Sequence, residues 1–474
     1  MFDVSIIGGG VVGGLILREL TKYKLNVCLV EKAGDVAMGE SKANSGIVHA
    51  GFDAPVGSLK AKFNVAGNKM MESVCADFGV KFRRNGSLVV AFSEEDFKTI
   101  NDLKARGEVN GVEGLEIIDQ PRLREMEKNI SDEAFAALYA PTGGIVCPYE
   151  LTIAAIGNAM DNGAKLFTDF EVVNIEKIES GYIVTSKDGQ EIASKIVINC
   201  AGLYSGEIAE MVGDTINVGA RKGEYILLDR ESGDFVQHTL FFTPTKLGKG
   251  ILVTQTVDNN ILLGPTAEEG NDSTETSSNG LAFVIEKAKK MCKNPPLFNT
   301  ITSFAGVRAY SDKHDFIIEK SKSAKGVIHC AGIESPGLTA SPAIAKYVVE
   351  NLVSGLLLLE RNEEFNGIRK PDYFFKHLSM EEKNEIIKRD PSYGKIVCRC
   401  EQVTEGEILR AIRENPPAKD IDGVKRRMRS GMGRCQGGFC QPYVAELIAK
   451  ERGVPLTNVT KNGKGSNLLT GVTK

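Results

Sequence analysis

Residues 1–32 read MFDVSIIGGGVVGGLILRELTKYKLNVCLVEK, and their order decides the fold. Val4 to Ile7 is an apolar run of strand length, Gly8 to Gly14 is a glycine loop, Val11 to Lys22 has helical spacing, and Asn26 to Val30 is a second apolar run that ends at Glu31. A strand, a tight turn, a helix and a second strand make a βαβ opening. Gly8, Gly10 and Gly13 fit GxGxxG directly after the strand and at the mouth of the helix. Without side chains there, the backbone turns sharply and reaches a pyrophosphate on the helix N-terminus, while Glu31, with Lys32 beside it, stands where a carboxylate meets ribose hydroxyls. The unit predicts dinucleotide binding, and these residues alone leave NAD and FAD both open.

Outward from this unit the α/β pattern is interrupted and then resumes. Ser58 to Phe78 and Glu94 to Gly107 read as helices, Pro148 to Asn162 as another, and KIVINCAG at 195–202 as a buried strand ending in small residues. Between 219 and 268 the pattern changes to EYILLD, TLFFTPT, ILVTQTV and NILLGPT, separated by LGKG and DNN, which reads as an antiparallel meander. KGVIHCAGIESPGLTASPAIAKYVVENLV, at 325–353, returns the chain to strand, loop and helix. The predicted fold is α/β: a Rossmann-like cofactor domain assembled from 1–75, 148–215 and 325–361, with an antiparallel-sheet substrate domain (76–147 and 216–324) inserted in it. A linker at 362–393, a small helical four-cysteine domain at 394–455 and a polar tail at 456–474 complete the expected order.

The 474 residues suffice for two or three domains, and a formal net charge of -4 with 25% charged residues gives no sign of nucleic-acid binding. No run approaches the roughly 20 apolar residues of a membrane span, and no secretory signal opens the chain. The expected location is cytoplasmic, with any membrane contact made through a partner. Six of the ten cysteines (Cys28, Cys75, Cys147, Cys200, Cys292, Cys330) read as buried packing residues. The others, Cys398, Cys400, Cys435 and Cys440, form CxC and CxxxxC near the end of the chain, a thiolate set for an iron–sulfur cluster or a structural zinc. Between them, Thr404 with Glu407 predicts a capping box, and the basic run Lys425, Arg426, Arg427 and Arg429 reads as a solvated helix face.

SKANSGIVHAGFDAPVGSLKAKFNVAGN, at 41–68, resembles the flavin-contacting segment of the D-amino-acid oxidase-like superfamily, which includes L-2-hydroxyglutarate oxidase and glycerol 3-phosphate dehydrogenases. That resemblance, over roughly residues 1–355, implies FAD in the Rossmann-like domain. It puts Ser41, Asn44, Ser45, Gly46 and His49 near the pyrophosphate or isoalloxazine. VINCAG, with Ala201 and Gly202, and IHCAGIESPGLTASPA, with Gly332, Gly337, Leu338 and Thr339, look like the family's second and third flavin-binding turns, and Val172 joins them as a cofactor contact. VCRCEQVTEGEI and GMGRCQGGFC are similar to the carboxy-terminal domain of the anaerobic glycerol 3-phosphate dehydrogenase A subunit, of the bacterioferritin-associated ferredoxin fold, and imply a [2Fe–2S] cluster on the four cysteines.

Together the resemblances imply a dehydrogenase that passes a hydride from a small anionic hydroxy compound to flavin. His49 takes the hydroxyl proton and Arg308, in FAGVRAY, holds the anion. Lys222 and Tyr225 in RKGEYIL, and Lys313 in AYSDKHD, are expected in the same pocket. The expected substrate is sn-glycerol 3-phosphate, followed by an L-2-hydroxy acid such as 2-hydroxyglutarate. A non-catalytic flavin electron-transfer or assembly subunit is a third reading, which intact His49 and Arg308 argue against. A hydride brings two electrons and a [2Fe–2S] cluster takes one, so a partner subunit is the expected outlet.

Overall fold

The computed structural model describes residues 1–244, 250–369 and 374–471. At its centre the Phe2–Ile7 strand pairs in parallel with Val27–Val30 on one side and Glu191–Asn199 on the other. Lys165–Phe167 extends the sheet beyond Val27–Val30. On the far side, the long Glu191–Asn199 strand shares its length between two partners, the antiparallel Gly181–Ser186 near its start and the parallel Val327–Ala331 near its end. Ile317–Lys320 closes against Val327–Ala331. The first helix, Val11–Thr21, is buried at ten of its eleven residues because the Pro148–Asp161 and Gly337–Tyr347 helices cover it. Even its charged residues are satisfied inside: Arg18 pairs with Asp77 at 3.0 Å and Glu19 with Lys22 at 2.7 Å. That burial explains why the helix reads apolar nearly all round instead of amphipathic.

A second, nine-stranded sheet differs from the expected meander. Thr239–Phe242, Leu252–Gln255 and Ile261–Gly264 do follow one another antiparallel. Val218–Leu228, however, pairs with Ile261–Gly264 and, along its whole length, with Thr300–Ser311. Thr239–Phe242 also pairs in parallel with Ser87–Ala91, so one junction makes this sheet mixed. Two long strands of 11 and 12 residues satisfy more backbone groups on each other than either would on a four-residue neighbour. The LGKG turn falls mostly outside the described residues. Short elements at Glu116–Asp119, Gln120–Met126, Ala136–Ala140 and Gly144–Val146 were not legible, being too short to establish a period.

The C-terminal part forms its own small core around Ile408, Val424, Val444 and Ile448. Its Glu405–Arg413 helix begins with the predicted box: Thr404 Oγ1 accepts from the Glu407 N–H at 3.2 Å while the Glu407 carboxylate accepts from the Thr404 N–H at 2.9 Å. Gln441–Arg452 carries Pro442 in its first turn. Between them lies Ile421–Met428, and here the reading of a solvated basic face is corrected. Arg426 and Arg427 both reach the Asp35 carboxylate at 2.7–2.9 Å, with all three side chains at most 7% exposed. Arg429 binds Glu401 at 3.0 Å and Asp258 at 2.7 Å. These arginines fasten the module to both larger sheets.

Candidate active site

One cavity of about 1500 Å³ opens between the two sheets, larger than the 300–1,000 Å³ usual for a single small ligand. Its far end is the glycine turn. Gly8 has φ +111°, and a Cβ there would stand 2.3 Å from the Cys200 carbonyl oxygen; at Gly13 it would stand 2.2 Å from that of Gly8. Gly10 occupies the cap position of the first helix without any side-chain cap, so N–H groups at that end face the cavity. Ser41 Oγ accepts from the Val11 N–H at 2.9 Å. The Glu31 carboxylate accepts from the N–H groups of Gly9 (2.7 Å) and Ala33 (2.9 Å), and burial pushes it above the usual carboxylate range. Lys32, lying over the Tyr204 ring at 3.3 Å, completes this end together with Val172, Ala201 and Gly202. A helix N-terminus on the cavity wall, a turn closed to any Cβ at Gly8 and Gly13, and a buried acid fit a dinucleotide the size of FAD.

Along the middle, Asn44, Ser45, Gly337 and Leu338 line the wall. Three residues expected to contact cofactor lie behind it instead. Gly46 turns at φ +66°, where a Cβ would stand 2.6 Å from the Val146 carbonyl oxygen, and a Cβ on Gly332 would stand 2.5 Å from the Cβ of Ser311. Thr339 Oγ1 accepts from the His49 N–H at 2.9 Å and donates to the Ile47 carbonyl. They shape the cavity without lining it.

At the near end the His49 carbonyl accepts from the Asn64 and Asn68 amides at 3.2 and 3.0 Å, and its Nε2 lies 3.2 Å from Ser335 Oγ. The backbone is thus fixed on both sides while the ring borders the cavity. Opposite it, the Val218–Leu228 and Thr300–Ser311 strands present three facing pairs: Arg221 with Arg308, Gly223 with Gly306, and Tyr225 with Phe304, whose rings stack at 4.7 Å. The glycine pair leaves a gap that the Ala43 backbone fills, since a Cβ on Gly306 would stand 2.0 Å from the Ala43 oxygen. Arg308 donates Nη2–H to the Thr266 carbonyl at 2.9 Å; its buried Nε has no partner among the described residues.

The alternation of a strand corrects one expectation here. Arg221 and Tyr225 line the cavity, so Lys222 faces the other side, 4% exposed and paired with Glu224 at 3.0 Å. Glu224 in turn accepts from Ser277, which caps the next helix. Lys313 does not line the cavity either; its neighbour His314 does. Glu334, Lys60, Arg221 and Glu40 are among the acids and bases on the wall that were not singled out from sequence. Glu334 accepts from Lys60 at 2.9 Å and from Arg221 at 3.0 Å. Glu40 lies next to Arg308, yet burial pushes its carboxyl up to about 8 against that charge and the Ala309 N–H. Period-two reading of RKGEY would have found Arg221; nothing local marks the others.

The four cysteines come together as two pairs. Cys400 and Cys435 have their sulfurs 3.5 Å apart. Cys398 and Cys440 share a hydrogen bond that draws the Cys398 thiol down to about 6, helped by the Gly431 and Glu401 N–H groups, and drives Cys440 up. Charge on Cys398 is felt by Cys435, so the pairs are neighbours. No three His, Cys, Asp or Glu residues converge on one point among the described residues. Two thiol pairs suit a cluster with two donors per iron better than a single zinc inside a sulfur tetrahedron.

Comparison with known proteins agrees with both halves. The family described as FAD dependent oxidoreductase matches residues 3–351, and the BFD-like [2Fe-2S] binding domain matches 396–450. A glycerol 3-phosphate dehydrogenase of Caloramator mitchellensis is 50% identical, covering 100% of this chain and 99% of its own. A glycerol 3-phosphate oxidase of Mycoplasma genitalium is 34% identical over 74% of this chain and 94% of its own. The reduced, FAD-bound L-α-glycerophosphate oxidase of Mycoplasma pneumoniae superposes with a TM-score of 0.75 at 29% identity, covering 79% of this chain and 99% of that one.

Proposed function

The chain belongs to the FAD-dependent oxidoreductase family, and from that premise we propose that it oxidises sn-glycerol 3-phosphate to dihydroxyacetone phosphate and sends the electrons out through the cysteine module. The observation that carries this reading is a single cavity lined by His49, by an incompletely paired Arg308 and by the glycine turn of a dinucleotide cradle. FAD supplies the acceptor for the hydride, and a [2Fe–2S] cluster supplies one-electron transfer. Gly8, Gly10, Gly13, Glu31 and Ser41 hold the dinucleotide. The Arg308 guanidinium draws the anionic end of the substrate, which places the secondary hydroxyl beside the imidazole. His49 accepts the hydroxyl proton, with Ser335 Oγ fixing the ring. Cys398, Cys400, Cys435 and Cys440 hold the cluster, whose one-electron chemistry calls for a partner protein as final outlet. No helix among the described residues is long and apolar enough to cross a membrane.

Anaerobic addition of candidate substrates tests the reading. Glycerol 3-phosphate should bleach the flavin absorbance. Bleaching by L-2-hydroxyglutarate alone would move the chain to the hydroxy acids, and no bleaching by either would favour a non-catalytic electron-transfer role.

A further inference from the structure

The four cysteines stand in two different settings. Cys398 and Cys440, 1% and 3% exposed, belong to the module's own core, whereas Cys400 and Cys435 are half-buried at its edge. This outer pair meets a segment of the nine-stranded sheet. Arg230 follows the Val218–Leu228 strand by two residues and donates Nη2–H to the Cys400 carbonyl at 2.7 Å, with its Nη1 4.0 Å from Glu401. Arg434, next to Cys435, returns to the same segment: its Nε lies 3.5 Å from the Asp229 carboxylate and its Nη2 donates to Glu231. Gly433 lets the two cysteine loops meet, since a Cβ there would stand 2.4 Å from that of Cys400. Asp229, Arg230 and Ile301 on one side and Cys400, Gly433 and Arg434 on the other enclose a cleft of about 40 Å³, far below the volume of a ligand pocket. The joint is therefore protein packed on protein, with Arg230 seated on the backbone of a cysteine.

We propose that Arg230 is a positioning residue for the [2Fe–2S] site: from outside the cysteine module it fixes the Cys400 ligand and raises the reduction potential of the cluster. The proposal rests on the four cysteines being the ligands and adds the residue that orients one of them. A hydrogen bond to the ligand's own carbonyl holds the Cys400 backbone, and so aims its sulfur, where the module by itself leaves that end half-open. The guanidinium also brings a positive charge beside a thiolate. It stabilises the reduced cluster, which carries one more negative charge than the oxidised one, and at 45% exposure water moderates that effect without removing it. The nine-stranded sheet thereby completes a site whose four donors all lie in the module.

Two measurements on the FAD-loaded holoprotein test the proposal without turnover: an anaerobic redox titration followed by the electron paramagnetic resonance signal of the reduced cluster, and the loss of cluster absorbance to excess EDTA. Arg230→Gln should shift the cluster potential downward and speed loss to the chelator about tenfold, with flavin content unchanged. Arg230→Lys keeps the charge and loses the fork, so it should restore the potential and only part of the resistance to EDTA. Glu231→Gln is the control, because it removes the ion pair with Arg434 from the same joint and leaves the Arg230 contact in place; both readouts should stay near those of the wild type. A wild-type potential or a wild-type rate of loss in Arg230→Gln overturns the proposal. So does Glu231→Gln reproducing both changes, which would make the joint a docking contact alone. If Arg230→Gln assembles no cluster, the comparison passes to Arg230→Lys, in which faster loss at an unchanged potential supports the proposal and wild-type loss overturns it. A wild type that takes up zinc and never shows the reduced-cluster signal would remove the ligand assignment itself, and the proposal with it.

Discussion

His49 borders the cavity with its N–H given to Thr339, its carbonyl taken by two asparagine amides and its Nε2 beside Ser335 Oγ. His49→Gln keeps a hydrogen-bonding side chain and loses the base; flavin reduction in stopped flow should slow by about 10²- to 10⁴-fold with substrate affinity little changed. Equal losses in rate and affinity would make the ring a binding group. Glu40 supplies a pH signature. Its carboxyl, ordinarily near 4.5, is held at about 8 in the fold, so between those values the folded state binds the extra proton and stability falls as pH rises. Thermal unfolding of the wild type should therefore lose ground to Glu40→Gln between pH 5 and 8, and parallel curves would contradict the assignment. At this scale the sequence was most legible where backbone geometry demands one residue type, as at Gly8 and Gly13. It was least legible where only the partner strand fixes which side chain faces inward, as with Lys222 and Arg221.

Among the elements, the Ile421–Met428 helix carries the lesson about charge runs. Its spacing is that of a surface helix, and the nearest acid in sequence to pair with it, Asp420, stands 3.9 Å from Arg426, beyond hydrogen-bond reach. The counter-charge is Asp35, 392 residues before Arg427, held well down to about 2 by the two guanidiniums despite its burial. Val36 and Ala37, which follow, rest on the glycine turn: the Ala37 N–H donates to the Gly9 carbonyl at 2.9 Å, and Val36 packs beside Gly9. The module is thus tied to the loop that holds the dinucleotide. Removing one member of a buried ion pair leaves the other uncompensated and costs about 3–5 kcal/mol. Asp35→Asn should accordingly lower the denaturant midpoint and speed the release of FAD, seen as the rise of free-flavin fluorescence; unchanged FAD release would mean that the module is docked without bearing on the cradle. The mixed pairing of Thr239–Phe242 with Ser87–Ala91 escaped the sequence for a similar reason, since partners about 150 residues apart leave no local trace.

In the whole molecule, two cofactor sites were readable because each rests on residues close together in the chain: a glycine turn after a strand, and cysteines at fixed spacing. Their relation was not readable, because it is made by arginines and acids drawn from three regions. Cys435→Ser should abolish cluster absorbance and leave substrate-driven flavin bleaching in place; loss of both would show that the module is needed for the cradle to form. The account's central claim, that one chain takes a hydride at its centre and releases single electrons at its end, is tested most directly by rapid anaerobic mixing with glycerol 3-phosphate. Visible and electron paramagnetic resonance spectra are then recorded on the same samples. Bleaching of the flavin together with the signal of a reduced [2Fe–2S] cluster is the predicted result. A bleached flavin beside a cluster that stays oxidised with substrate, yet reduces with dithionite, would contradict it.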